Sequence, residues 1–168
     1  ALPISDNVCT GMAMANIWGS MGIDILVANN DCDYSGDVGI DFEGCVDCVA
    51  TGNIVRNRTN GALTIGFINE NIKFTGNNVK CDTNGVYVVN IFGSTGAGYY
   101  NRDITISDNE IIMVGNVTGY VSGPAQFANL IISNNRFYDV SIDFNTTSFA
   151  NLTVQNNTFF LNWNHTAP

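Results

Sequence analysis

The sequence predicts an all-β protein, a single-stranded right-handed parallel β-helix (solenoid) of about seven coils. Three observations predict it. An eight-residue pattern returns along the 168 residues, its apolar positions follow the two-residue period of a strand, and one asparagine keeps its place in every copy.

The pattern reads apolar, any, apolar, small or polar, turn former, Asn, any, apolar. Its first three copies are Leu2 to Cys9, Ile25 to Cys32 and Cys48 to Val55; four more run from Ile72 to Val79, Ile104 to Ile111, Leu130 to Phe137 and Leu152 to Phe159. The repeated residues are Asn7, Asn30, Asn53, Asn77, Asn109, Asn135 and Asn157, spaced by 23, 23, 24, 32, 26 and 22 residues. The period is therefore near 23, with two insertions. Apolar residues two apart on both sides of the Asn spell strand, turn, strand, because alternate side chains of a strand share a face. A helix requires spacings of three and four.

Between copies lie further alternating runs: Ile40-Asp41-Phe42, Leu63-Thr64-Ile65, Val86-Tyr87-Val88 and Ile142-Asp143-Phe144. Each period thus holds about three short strands, and stacking every strand on its equivalent one coil away, about 4.8 Å along the axis, gives the parallel β-helix. Equivalent positions then form columns. The inward column two residues after the Asn reads Cys9, Cys32, Val55, Val79, Ile111, Phe137, Phe159. The Asn column suits a turn, since Asn tolerates left-handed backbone and its amide can donate and accept in a ladder. A polar column six residues earlier, Asp24, Asp47, Asn71, Asp103, Asn129, Asn151, marks another turn, where Asx side chains cap backbone amides.

The coils are assigned to residues 1–161, and 162–168 form a tail. Seven coils make a rod about 34 Å long. Its terminal strand edges need cover, and the start inside a repeat, with no initiator Met, suggests a processed or excised piece completed by a longer chain, a trimer, or both.

Hydrophobic content of 45% supports a core, while a net charge of −9 and six scattered basic residues offer no footprint for nucleic acid or anionic lipid. No apolar run reaches the roughly 20 residues that span a bilayer, so neither nucleic-acid binding nor membrane insertion is expected. Five cysteines, Cys9, Cys32, Cys45, Cys48 and Cys81, cannot all pair. Cys45-x-x-Cys48 has no second CxxC, and the sole histidine, His165, lies in the tail; the thiols read as buried small apolar groups, with no metal and no cofactor expected. The same histidine count leaves no general base for a Ser or Cys nucleophile. Sequons at Asn57, Asn116, Asn145, Asn151, Asn156 and Asn164 are accounted for by an Asn- and Thr-rich composition.

The stretch Asp37-Val38-Gly39-Ile40-Asp41-Phe42-Glu43-Gly44-Cys45, followed by Ala50-Thr51-Gly52-Asn53 and Asn60-Gly61-Ala62-Leu63, resembles coils of phage tailspikes and related pectate-lyase-like right-handed β-helix proteins, and the repeat resemblance covers nearly the whole chain. The resemblance implies adsorption to a bacterial cell-surface polysaccharide, often with endoglycosidase or lyase action, by a homotrimer on the virion tail, outside the cell. The same architecture also hosts C5-epimerases and non-catalytic adhesins, so function has to come from a site.

If Ile40 and Phe42 point inward, Asp41 and Glu43 point outward on one face, about 6.5–7 Å apart. Glycoside hydrolysis uses two carboxyl groups about 5–5.5 Å apart for retention or 6.5–9.5 Å for inversion, so Asp41 and Glu43 are the candidate catalytic pair, with the spacing favouring inversion. The plain alternative is a pair of solvated surface acids. Asp143 shares the Ile-Asp-Phe context but lies several coils away. The insertion at 93–101 carries Tyr99 and Tyr100, candidate sugar-stacking residues on a loop that suits trimer contacts equally well. Trp18 and Trp163 are further candidates, with packing as their alternative. Asp31, Asp33 and Asp37 are close in sequence, yet no Lys or Arg lies nearby to serve lyase chemistry. Three readings stay open: a tailspike segment that binds and cleaves polysaccharide, a non-catalytic adhesin or rod, and a secreted lyase or epimerase.

Overall fold

A computed structural model describes residues 3–56, 60–84, 86–92, 101–115, 118–122, 127–144 and 149–161. Among them every hydrogen-bonded strand pair is parallel, and each strand pairs with its equivalent one coil away. The first sheet has seven strands, from Ile4–Ser5 to Phe149–Gln155; the second has seven, from Val8–Thr10 to Thr158–Phe160; the third has six, from Ile17–Ser20 to Val140–Asp143. The chain is a parallel β-helix. The tail assigned to 162–168 lies outside the described residues.

The predicted inward column keeps unbroken register, Cys9 pairing with Cys32 and then Val55, Val79, Ile111, Phe137 and Phe159 following; it is fully buried from Cys32 to Phe137, while Cys9 is half-buried and Phe159 exposed. Phe42 and Phe74 stack with centroids 5.8 Å apart inside the solenoid. Each fully buried Phe, Leu or Ile contributes about 1.5–3 kcal/mol from area removed from water. Cys32, Cys45, Cys48 and Cys81 are buried, and burial pushes the Cys48 thiol up to about 11. Such a thiol is packing material rather than a nucleophile or zinc ligand.

The asparagine column is a continuous ladder. Asn7 Nδ2 donates to Asn30 Oδ1 at 2.9 Å, and the same bond links Asn30 to Asn53, Asn53 to Asn77, Asn77 to Asn109, Asn109 to Asn135 and Asn135 to Asn157. Each backbone N–H of the donor Asn reaches the same oxygen, and from Asn30 onward the second amide proton goes to a carbonyl of the neighbouring coil, such as Val27 O for Asn53. Two donors and one twice-used acceptor leave no buried polar atom of these amides wanting.

The backbone logic differs from the sequence expectation at two columns. The ladder asparagines are not the left-handed residues; their predecessors are. Asp6, Asn29, Gly52, Gly76, Asp108, Asn134 and Asn156 have φ between 54° and 65°, a region open chiefly to Gly, Asn and Asp. The column from Asp24 to Asn151 also has φ between 52° and 60°, but from Asp47 on it lies inside the strands of the first sheet as a left-handed corner. Its side chains bridge coils instead of capping local amides. Asn71 donates to Asp47 at 2.7 Å and Asn129 to Asp103 at 2.8 Å, so an amide separates Asp47 from Asp103, while Asp24 and Asp47 follow one another directly.

Candidate active site on the third sheet

The strand Val38–Glu43 belongs to the third sheet. Ile40 and Phe42 are fully buried in the core, which sends Asp41 and Glu43 to the outer face. Register extends these positions into two outward columns. One runs Trp18, Asp41, Thr64, Asn90 and, past the register position of residue 122, Asp143; the other runs Ser20, Glu43, Gly66, Phe92. Asp143 therefore shares a column with Asp41 but stands four coils on, about 19 Å away at strand spacing.

Asp41 is not a solvated surface acid. Only 6% of it is exposed, at the floor of an open cleft of about 410 Å³ lined by Asp37, Val38, Asp41, Glu43, Asn60, Tyr87, Asn90 and Phe92. A smaller hollow of about 130 Å³ opens on the other side, where Met14, Ala15 and Trp18 join Asp37, Val38, Asp41 and Glu43. Asp41 and Glu43 thus sit between two depressions that follow the axis of the solenoid.

The walls are aromatic. Phe92 lies over Gly66, where a Cβ would come within 2.5 Å of its ring, and meets Phe67 edge to face at 5.4 Å. Glycine at 66 is what lets that ring descend to the sheet. Tyr87 forms part of the lining and approaches Tyr120 at 6.2 Å. At the rim, Asn60 Nδ2 donates to Asp37 Oδ1 at 2.7 Å. Trp18 is 58% exposed and pairs in register with Asp41.

Two buried oxygens here, Asp41 Oδ1 and Thr64 Oγ1, have no hydrogen-bond partner among the described residues. They are neighbours in the outward column. Both atoms are sealed from solvent, and leaving such groups unpaired costs about 1–3 kcal/mol each. Burial, then the negative charges of Glu43 and Asp37, push the Asp41 carboxyl up from 3.8 to about 7. At neutral pH it is about half protonated, the state required of a general acid.

Of the residues singled out from sequence, Asp41, Glu43 and Trp18 come together on one face. Tyr99, Tyr100 and Trp163 lie outside the described residues. Asp31 and Asp33 do not join Asp37: they are on the second sheet, where Arg56 from the next coil bonds Asp31 at 2.6 Å and Asp33 at 3.5 Å. The expectation that no cation lies near them fails because Arg56 is 23 residues from Asp33 and one coil away in space. No group of three His, Cys, Asp or Glu side chains suited to a metal occurs among the described residues.

Sequence reading missed Asn60, Tyr87, Asn90 and Phe92 as cleft residues. The signal was present in the coil register, since Thr64 and Asn90 are Asp41's equivalents on the next two coils. Carrying that register outward as well as inward finds the floor of the site. No family model, curated protein or solved structure matches this chain, so function is read from the cleft's own geometry.

Proposed function

We propose that this β-helix is a polysaccharide-handling segment of the phage tailspike type, which binds a bacterial cell-surface polysaccharide in the third-sheet cleft and hydrolyses it. The observation that carries the reading is Asp41: buried, held partly protonated near neutral pH, and lining an aromatic-walled cleft beside Glu43. In this reading Asp41 donates its proton to the glycosidic oxygen as the bond to the anomeric carbon breaks. Glu43, about 6.5–7 Å along the strand, takes a proton from the water that attacks that carbon from the opposite side. The sugar is inverted, Asp41 ends as the carboxylate and Glu43 as the acid, and exchange with solvent restores both. Trp18, Tyr87 and Phe92 offer apolar faces to sugar rings on either side of the cleavage point. A homotrimeric assembly on the virion tail, outside the cell, belongs to the same proposal.

The test is reducing-end release from a panel of capsular and O-antigen polysaccharides, with binding followed separately by calorimetry. Asp41→Asn and Glu43→Gln each lose release by at least a hundredfold and retain binding. Unchanged release in either variant overturns the hydrolase assignment. Binding with no release by the native chain on any polymer instead fits a non-catalytic adhesin.

A further inference from the structure

We infer that the glycan taken by this cleft is neutral where it crosses Asp41 and Glu43, and that chains placing a uronate, phosphate or sulfate there are rejected. The inference rests on the proposed reading of the cleft as a glycan site.

The two hollows share three carboxyl groups, those of Asp37, Asp41 and Glu43, and their other polar side chains are Asn60, Asn90 and Tyr87. The cations of the described residues lie elsewhere. Arg56, Lys80 and Arg136 are on strands of the second sheet, and Lys73 and Arg102 on strands of the first. Three of the five are also committed to ion pairs, Arg56 with Asp31 and Asp33, Arg102 with Glu70 and Arg136 with Glu110. An anionic sugar over Asp41 would meet like charges in a partly desolvated hollow, where Coulomb repulsion is far less screened than in water.

The remaining lining also suits a neutral chain, because the side-chain amides of Asn60 and Asn90 and the phenol of Tyr87 can exchange hydrogen bonds with sugar hydroxyls. The same sign pattern disfavours uronate elimination or epimerisation. Those reactions need a positive group to stabilise the substrate carboxylate as the α-proton leaves, and this cleft presents the opposite charge. Arg58 lies outside the described residues, two positions before rim residue Asn60, so the experiment tests it directly.

The test uses uronate-containing capsular polysaccharides in two forms: native, and with carboxyls converted to primary alcohols by carbodiimide activation and borohydride. The two polymers share their backbone and linkages and differ at C6, a carboxylate in one and a neutral hydroxymethyl in the other. Calorimetry on the full chain is expected to give at least tenfold tighter binding of the reduced form, native-form binding that improves as salt is raised, and a ratio narrowed by Asp37→Asn. Equal or tighter binding of the native form overturns the inference, whether or not Arg58→Ala abolishes it, and so does binding of neither form. Reducing-end release from the reduced polymer separates the two levels. Loss of release in Asp41→Asn upholds the hydrolase reading whichever form binds better, whereas release that survives the substitution removes that reading and leaves the charge preference to stand or fall on binding.

Discussion

Trp18 and Asp41 are register partners on adjacent strands of the third sheet, so an exposed indole stands one coil, about 4.8 Å, from a buried carboxyl. The pairing sets a platform for a sugar ring directly beside the proposed proton donor. Trp18→Ala is therefore expected to weaken polysaccharide binding by about tenfold, equivalent to about 1.4 kcal/mol, while far-UV circular dichroism and thermal midpoint stay near those of the native chain, because the indole is solvent-exposed. An unchanged affinity measured by calorimetry contradicts the platform role.

The Asp41 carboxyl links stability to pH in an unusual direction. Its value in the folded chain, about 7, exceeds the ordinary 3.8, so between those limits the folded state binds more protons than the unfolded one and stability falls as pH rises. The groups responsible are its burial and the facing charges of Glu43 and Asp37. Asp41→Asn is expected to raise the thermal midpoint by several degrees at pH 8 and to change it little at pH 4. A shift of equal size at both pH values contradicts the linkage.

The Asn ladder carries stability through satisfied buried groups. Asn77 accepts from the backbone and side-chain nitrogens of Asn53 and donates to Asn109 Oδ1 and Ala50 O. Asn77→Ala strands two donors, at about 1–3 kcal/mol each, and a total loss of at least about 3 kcal/mol is expected by urea denaturation. Asn7, at the ladder's exposed end, accepts no bond from another ladder residue; Asn7→Ala is expected to cost about 1 kcal/mol. Equal losses at the two positions exclude a role for burial in the ladder.

Much of this architecture was legible in the sequence. The Asn register located the core column from Cys9 to Phe159 because inward positions repeat with the coil and must stay apolar. It assigned the left-handed conformation to the wrong residue, since a turn former and the Asn after it are equally at home in a turn and only the backbone shows which one reverses. The cleft was half legible. Asp41 and Glu43 follow from strand alternation within one coil, but the cleft they line is completed by Tyr87, Asn90 and Phe92, whose distance in sequence includes variable turns and a bulge between Tyr87 and Val89.

Gly66 and Phe92 give a test of the cleft wall. A Cβ at position 66 would displace the Phe92 ring, yet the atom it meets is the far tip of a side chain able to move. Gly66→Ala is expected to lower stability by less than about 1 kcal/mol, within the range of surface substitutions that meet no rigid neighbour, and to weaken polysaccharide binding as much as Phe92→Ala does. If Gly66→Ala binds normally while Phe92→Ala does not, the glycine is not what seats the ring.

The most direct measurement is a carbon-detected NMR titration of the Asp41 carboxyl, which needs no substrate. A midpoint near 7 is expected in the native chain and a lower one in Glu43→Gln, because a neighbouring negative charge is removed. A native midpoint near 3.8, unmoved by that substitution, contradicts the assignment of Asp41 as the buried acid of this cleft.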